Sequence, residues 1–146
     1  MELHVITKEK KKYLPLLLEA DESERQIDTY LQRGTLYVAK QKEKVIGVAV
    51  VTKETEGVEL KNFAISPTLR GRGYGKKLIQ KLCTLYQGET MYVGTGDSGL
   101  TVPFYEACGF RYAYTLKDFF TIHYEEEIIE NGVKLNDMIV LKKECS

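Results

Sequence analysis

The residues best suited to chemistry form a glycine-rich, cationic run, Arg70-Gly71-Arg72-Gly73-Tyr74-Gly75-Lys76-Lys77. The run lies between a predicted strand and a predicted helix. Glycines let the backbone approach a ligand closely, and successive N–H groups at the positive end of a helix dipole form an anion-binding concavity. The sequence therefore predicts a phosphate-binding turn, although a helix N-terminus that is glycine-rich for no functional reason is the plain alternative.

Spacing excludes two better-known phosphate motifs. A P-loop needs glycine at position 70 and serine or threonine at position 77, where the chain has Arg70 and Lys77. The dinucleotide fingerprint needs glycine at position 76 or 78, where the chain has Lys76 and Leu78. The pattern that remains, Arg-x-x-Gly-x-Gly with cationic neighbours, suits a pyrophosphate and a further phosphate reached by arginine or lysine.

The strand before this turn carries a phase error. Its apolar side chains occupy even positions up to Leu60 and odd positions from Phe63 onward, whereas a regular strand alternates with period two. One extra residue near Lys61 or Asn62 would restore the phase. This predicts a β-bulge, which leaves backbone N–H groups free for a ligand. A strand buried on both faces would explain the pattern equally, because alternation is then uninformative.

The elements that must position these residues follow from periodicity and breaker residues. Three neighbouring strands with short turns predict an antiparallel meander, and the long connection 117–133 predicts a binding loop or mobile flap. The predicted strands are Leu3–Thr7, Thr35–Lys40, Val45–Thr52, Val58–Ser66, Thr90–Thr95, Phe110–Leu116 and Asn136–Lys142. The predicted helices are Lys10–Leu18, Ser23–Leu31, a run from Gly75 that stops at Gly88, and Pro103–Cys108, with Pro103 in the first turn.

Two of these segments together resemble the GCN5-related N-acetyltransferase (GNAT) superfamily. Glu59–Ser66 followed by Arg70–Gly75 is similar to its acetyl-CoA motif, and Phe104–Phe110 is similar to its second motif. The resemblance covers nearly the whole chain. Either motif alone is weak evidence for the family, but the presence of both in one chain is specific. It implies one domain, residues 1–146, of the α/β class. The expected architecture is an α+β mixed sheet of about seven mostly antiparallel strands, splayed between strands 4 and 5, with four helices.

The resemblance also implies that acetyl-CoA is the co-substrate. The pantetheine arm would lie in the splayed gap against the backbone of Phe63, Ala64 and Ile65, and the pyrophosphate would lie on the amides of the glycine-rich turn. Ser98 stands where the family often has an asparagine that contacts pantetheine. The implied cofactor-binding residues are Phe63, Ala64, Ile65, Arg70, Gly71, Arg72, Gly73, Tyr74, Gly75, Lys76 and Ser98.

Aminolysis of a thioester needs a base for the amine, a donor for the carbonyl oxygen and an acid for the leaving thiolate. The resemblance implies that Glu59 is the base, acting through water, that the Phe63 N–H polarises the carbonyl, and that Tyr105 is the acid. A tyrosine pKa of about 10 keeps the phenol protonated near pH 7, so its hydroxyl is available to donate to the leaving thiolate. A solvated carboxylate and a core tyrosine are the plain alternatives for Glu59 and Tyr105.

The family places its acceptor between the first two helices and the connection before the last strand. Both regions are acidic, which favours a cationic acceptor such as a polyamine-like or aminosugar-like small molecule or a lysine-bearing peptide. Solvated faces that balance Lys8–Lys12 would explain the charges equally. Asp118, Phe119, Phe120 and Tyr124 could form an aromatic wall or simply anchor the connection. The acidic residues are Glu19, Asp21, Glu22, Glu24, Glu125, Glu126, Glu127 and Glu130.

Two rival functions are weighed against acetyl transfer. The first is a hydrolase, because Ser98 in Gly96-Asp97-Ser98-Gly99 resembles the nucleophilic serine of some proteases. The esterase elbow, however, needs glycine at position 100, where the chain has Leu100, and no histidine is obviously placed as a base. A non-catalytic acyl-CoA-binding sensor or partner subunit would keep the glycine-rich turn but would not need Glu59 or Tyr105. Their joint presence favours an enzyme.

Composition sets the outer limits. The chain has 146 residues, 43% hydrophobic and 29% charged, with 21 basic and 21 acidic side chains, so no global charge draws it to nucleic acid or an anionic membrane. Three cysteines without CxxC spacing and two isolated histidines argue against a disulfide framework or a metal site. No apolar run approaches a membrane span. We therefore expect a cytoplasmic protein without metal, and the resemblance allows a homodimer.

Overall fold

The computed structural model describes residues 1–146. Nine strands and five α-helices follow one another along the chain. The strands are β1 (Glu2–Ile6), β2 (Thr35–Gln41), β3 (Lys44–Glu54), β4 (Gly57–Ile65), β5 (Thr90–Gly96), β6 (Arg111–Leu116), β7 (Ile129–Glu130), β8 (Val133–Lys134) and β9 (Met138–Glu144). The helices are α1 (Leu14–Ala20), α2 (Glu24–Asp28), α3 (Tyr74–Leu85), α4 (Val102–Ala107) and α5 (Phe119–His123), and 3₁₀ turns cover Lys10–Tyr13 and Pro67–Leu69.

Seven strands form one mixed sheet in the order β1-β2-β3-β4-β5-β9-β6, and β7 pairs with β8 in a separate hairpin. Only the β4–β5 pair is parallel. The strands β2, β3 and β4 form the antiparallel meander that their short turns predict. The expected seven-stranded, mostly antiparallel sheet is therefore confirmed.

The predicted β-bulge is present in β4. The register against β3 pairs Val50 with Asn62 but Val51 with Leu60, so Lys61 is the extra residue. On one side of the bulge Leu60 belongs to one core, and after it the same face is continued by Ile65. The parity change in the sequence thus reports a real insertion rather than a strand buried on both faces.

Each face of the sheet carries its own core. On one face α3 buries Leu78, Ile79, Leu82 and Cys83, a spacing that places them on one side of a helix. This core also contains Tyr105 from α4. The opposite face packs against α1 and α2, in a core that includes Leu17, Ile27, Tyr30 and Leu31.

The helices differ from expectation in number and length. The structure has five α-helices rather than four, because α5 lies inside the connection that was predicted to be a loop. Five residues are too few to show helical periodicity in a sequence. The first predicted helix is a 3₁₀ turn followed by α1, and the second ends early, at Asp28. None of the helices combines the length and apolar character that crossing a membrane requires.

Buried polar contacts fix the ends of the short helices. Ser23 caps α2, because its hydroxyl accepts a hydrogen bond from the Gln26 N–H at 3.1 Å. The chain after α2 is held by the buried Lys10 ammonium, which donates to the carbonyls of Leu31 at 2.9 Å and Gly34 at 2.8 Å. These contacts set the position of α1 and α2 beside the central strands.

Candidate active site

The strands β4 and β5 pair over three residues and then separate. The last pair joins Leu60 to Val93, although β4 continues to Ile65 and β5 to Gly96. The expected splay between the fourth and fifth strands is therefore present. An unpaired strand edge exposes a row of backbone N–H and C=O groups, so β4 offers hydrogen bonds to whatever enters this gap.

The glycine-rich turn lies between the end of β4 and the start of α3. Gly71 and Gly73 have φ values of 76° and 84°, in the left-handed region that glycine adopts most readily. Gly73 is the N-cap of α3 and makes no side-chain capping bond. The first intrahelical bond runs from the Lys77 N–H to the Gly73 carbonyl at 3.3 Å, so the preceding N–H groups remain available to an anion.

One cleft joins the gap, the turn and the long connection. Its volume is about 760 Å³, a size typical of small-molecule and cofactor sites. The structure brings most of the predicted site residues to its wall. These are Phe63, Ala64, Ile65, Arg70, Gly71, Gly73, Tyr74, Gly75, Lys76 and Tyr105.

Tyr105 is held rigidly in this wall by other aromatic rings. Its ring centroid lies 5.1 Å from Phe104, 5.5 Å from Phe110 and 6.3 Å from Phe63. Burial, with a smaller contribution from Cys108, raises the pKa of the hydroxyl above its ordinary value. Tyr105 therefore stays protonated through the neutral range, as a proton donor must.

Gly75 explains how α3 and α4 approach each other at the cleft. A Cβ added there would lie 2.9 Å from Cζ of Phe104, closer than two carbons can pack. Phe104 in turn stacks on Phe63 with centroids 5.9 Å apart. The missing side chain of Gly75 thus lets the glycine-rich turn lie directly against the aromatic wall.

The wall of the cleft also contains a group of hydrogen-bonded polar side chains. The Asp21 carboxylate accepts from the hydroxyls of Tyr30 at 3.0 Å and Tyr124 at 2.9 Å. The Asn62 side-chain amide donates to the Tyr30 hydroxyl at 3.1 Å and to the Leu17 carbonyl at 3.0 Å. Burial first, and then the charge of Asp21, raises the pKa of both tyrosines. Both hydroxyls therefore remain donors to Asp21.

The acidic residues divide between the cleft and the outer surface. Glu19, Asp21, Glu22 and Glu130 line the cleft. Others form ion pairs outside it, including Glu24 with Lys11 at 2.6 Å. Glu125 is likewise paired, with Arg25, and Glu126 and Glu127 do not line the cleft. Three basic side chains, Lys61, Arg70 and Lys76, also line the cleft, and Arg70 is paired with Glu19. The unpaired negative charge of the lining therefore comes from Asp21, Glu22 and Glu130.

Three predicted site residues lie outside the lining of the cleft. Glu59 is on β4 before the bulge, and its carboxylate lies 3.1 Å from the Lys61 ammonium. Arg72 is exposed at the outer side of the turn. Ser98 follows β5, and its hydroxyl donates to Glu130 at 2.5 Å.

Arg70 lines the cleft but is already engaged by the protein. Its guanidinium lies 2.9 Å from the Glu19 carboxylate and donates to the Ile65 carbonyl at 3.3 Å. The side chain therefore ties the turn to the end of α1 and to the last residue of β4. This contact fixes the mouth of the gap.

Several lining residues had no clear signal in the sequence. Asn62 is buried, with 3% of its surface exposed, and a lone polar residue at a predicted bulge was its only mark. Phe120 and Tyr124 reach the cleft, so the aromatic residues of the connection form part of a wall, whereas Phe119 does not. Leu135 also lines the cleft, and nothing in its sequence context distinguishes it.

The geometry does not support the hydrolase alternative. The Ser98 hydroxyl bonds to the carboxylate of Glu130 and accepts from the Leu100 N–H at 3.2 Å, which is the pattern of a local turn. No histidine lines the cleft. The structure also contains no group of three or more histidine, cysteine or acidic side chains that could hold a metal ion.

Comparison with known proteins agrees with this geometry. A family model described as an acetyltransferase (GNAT) domain matches residues 32–112. The uncharacterized N-acetyltransferase YvbK of Bacillus subtilis is 39% identical over 132 residues, which cover 86% of this chain and 84% of that protein.

Two solved structures cover almost the whole chain. An IAA acetyltransferase from Bacillus cereus is 44% identical, with a TM-score of 0.88 over 98% of both chains. A GNAT family acetyltransferase from Elizabethkingia anophelis with acetyl-CoA bound is 34% identical, with a TM-score of 0.89 over 98% of this chain and 97% of the other. Together with the splayed sheet and the glycine-rich turn, these matches show that the chain belongs to the GNAT family of acetyl-CoA-dependent N-acetyltransferases.

Proposed function

We propose that this protein moves the acetyl group of acetyl-CoA to a primary amine by direct attack. One observation carries the proposal: a single cleft joins free helix amides, an unpaired strand edge and a protonated tyrosine. The first two bind an extended, anionic ligand, and the third supplies an acid. The Elizabethkingia anophelis neighbour with acetyl-CoA bound supports the same use of this fold.

The cofactor-binding residues fall into three groups in this proposal. The backbone of Phe63, Ala64 and Ile65 pairs with the pantetheine arm along the free edge of β4. The amides of residues 71–76, at the positive end of α3, hold the pyrophosphate. Arg70 fixes the turn through Glu19, while Arg72 and Lys76, both exposed, reach toward phosphate oxygens.

Ser98 has the weakest geometric support among the proposed contacts. Its hydroxyl is engaged by Glu130, so a contact to pantetheine requires that bond to open. A Ser98→Ala variant that keeps its affinity for acetyl-CoA would remove Ser98 from the site.

The chemical roles follow the order in which protons move. Glu59 takes a proton from the amine. A water molecule relays this proton, because the Glu59 carboxylate does not line the cleft. The Phe63 N–H polarises the acetyl carbonyl, and Tyr105 protonates the leaving thiolate. The raised pKa of Tyr105 keeps its hydroxyl protonated at neutral pH, so that it can donate to the leaving thiolate.

The acceptor is proposed to be a cationic amine, either a small molecule or a peptide side chain. Asp21, Glu22 and Glu130 line the cleft and form no ion pair, and their field attracts a positive charge. We also propose a cytoplasmic location, because all three cysteines are free and a reducing compartment keeps thiols in that state.

A free-thiol release assay tests the proposal. Purified protein with acetyl-CoA is offered n-butylamine, putrescine, glucosamine and a lysine peptide, and CoA release is followed in time. Release that depends on the amine supports the enzyme. Acetyl-CoA binding without release from any amine would favour the acyl-CoA-binding sensor instead. Glu59→Gln should lower kcat about a hundredfold at neutral pH, and an unchanged rate would remove Glu59 as the base.

A further inference from the structure

Asn62 has the only buried side-chain polar atom without a hydrogen-bond partner. Its Oδ1 makes no bond to the protein, although buried polar atoms are almost always paired. The residue lines the cleft and lies directly before Phe63 in the bulged part of β4. The Oδ1 of Asn62 is therefore an acceptor that an N–H or O–H group of a ligand in the cleft could satisfy.

Every N–H and O–H donor of Asn62 and its polar neighbours is already bonded to an acceptor of the protein. Its amide nitrogen has two N–H groups, and these go to the Leu17 carbonyl and the Tyr30 hydroxyl. The Tyr30 and Tyr124 hydroxyl protons both go to Asp21. All donors of this group are thus used inside the protein, and only acceptor oxygens remain for a ligand.

We infer that Asn62 is a specificity-determining residue, whose Oδ1 accepts a hydrogen bond from an N–H of the attacking primary amine. Asp21 provides the negative charge that draws the protonated amine to this end of the cleft. This inference rests on the proposed acetyl transfer, because it assigns a role to the acceptor of that reaction.

The hydrogen count of the reaction explains why a primary amine is required. The protonated amine that Asp21 attracts first loses one proton to solvent and becomes neutral, with two N–H groups. Its nitrogen then forms the bond to the acetyl carbon while the carbon–sulfur bond breaks. One N–H proton leaves to the base, and Tyr105 gives its proton to the thiolate. The second N–H stays on the amide product and remains bonded to Asn62 Oδ1. A secondary amine has a single N–H and cannot satisfy both partners.

Kinetics with matched amines test this role. The wild type and Asn62→Leu are compared with n-butylamine and N-methylbutylamine, with melting temperature and the KM for acetyl-CoA measured alongside. Leucine has nearly the shape of asparagine but no acceptor oxygen. Ile27→Val, a core truncation on the same face of the sheet, is the control for destabilisation alone. Asn62→Asp restores an oxygen acceptor.

We expect Asn62→Leu to lower kcat/KM for n-butylamine about tenfold, the effect of leaving one hydrogen bond unmade. The preference for the primary over the secondary amine should fall by a similar factor, while the KM for acetyl-CoA stays unchanged. Asn62→Asp should keep more of the preference, and Ile27→Val should keep all of it.

Two results overturn the inference in distinguishable ways. A wild type that releases no thiol with any primary amine overturns the proposed function and this inference with it. An active wild type whose preference survives in Asn62→Leu, or is lost equally in Ile27→Val, leaves acetyl transfer standing but shows that Asn62 is only a structural residue.

Discussion

Tyr105 combines two demands that a proton donor places on one residue. Its ring is fixed by three aromatic neighbours, so the hydroxyl is positioned before any ligand arrives. Burial also raises its pKa, so the donor is fully protonated at neutral pH. A core tyrosine and a catalytic one look alike in the sequence, and the structure adds that Tyr105 lines the cleft.

Replacing Tyr105 by phenylalanine should remove the acid and leave the packing intact. We expect kcat to fall about a hundredfold, with the affinity for acetyl-CoA changed less than twofold in calorimetry. Tyr112→Phe is the control, because Tyr112 is 60% exposed and lies outside the cleft. Wild-type turnover in Tyr105→Phe would show that another group or water protonates the thiolate.

Glu54 links stability to pH at the end of β3. The buried Thr52 hydroxyl donates to its carboxylate at 2.6 Å, and this bond, followed by the Arg33 guanidinium, holds the pKa of Glu54 below its ordinary value. A carboxylate with a lowered pKa stabilises the fold above the unfolded pKa, and that stabilisation is lost as the pH falls through the folded one.

Melting curves between pH 7 and pH 3 test this assignment. The wild type should lose part of its stability as the pH falls below the ordinary glutamate pKa of about 4.3. Glu54→Gln should melt lower than the wild type at pH 7 and lose less on acidification. Glu56→Gln, at an exposed turn position, should follow the wild-type curve. Parallel curves for wild type and Glu54→Gln would contradict the role given to Glu54.

At the scale of elements, the turn before α3 depends on glycine in two ways. The positive φ of Gly73 strains any other residue, and a Cβ there would point into open space, which is the space proposed for the pyrophosphate. Gly88, after α3, has a φ of 92° and equally open surroundings. A substitution would therefore strain the backbone at either glycine, but only Gly73 lies beside the proposed pyrophosphate site.

This pair separates folding from binding. Gly73→Ala and Gly88→Ala should each cost about 1–2 kcal/mol of unfolding free energy, measured by urea denaturation. Only Gly73→Ala should weaken acetyl-CoA binding, by about tenfold or more, which is about 1.4 kcal/mol. Equal affinities of the two variants for acetyl-CoA would place the pyrophosphate elsewhere.

Local patterns allowed some of these elements to be predicted and concealed others. The bulge was visible because Leu60 and Phe63 break a two-residue period, and the turn was visible from its glycines. The helix α5 was missed because five residues show no period. The hydrogen bonds of Asn62 could not be predicted, because its partners, Leu17 and Tyr30, come from distant parts of the chain.

At the scale of the whole molecule, charge neutrality conceals a separation of charge within one cleft. Lys76 and the α3 amides belong to the glycine-rich turn, whereas Asp21 and Glu22 follow α1 and Glu130 lies in β7 of the long connection. An anionic cofactor and a cationic acceptor would therefore approach through opposite fields, and each field would be screened by salt over a Debye length of about 8 Å at physiological ionic strength.

The acidic side chains that line the cleft predict that salt weakens the reaction with a cationic acceptor. The kcat/KM for putrescine should fall as salt is raised from 20 mM to 500 mM. Glu22→Gln should lower it about twofold to fivefold at low salt, as expected for an exposed charge, and should have little effect at high salt. Glu127→Gln is the matched control, because Glu127 is exposed but does not line the cleft. If the Glu22 and Glu127 variants behave alike, the acceptor is attracted by the net charge of the protein or not by charge at all. A kcat/KM that does not change with salt would contradict electrostatic attraction and leave hydrogen bonding at Asn62 and Asp21 as the source of acceptor recognition.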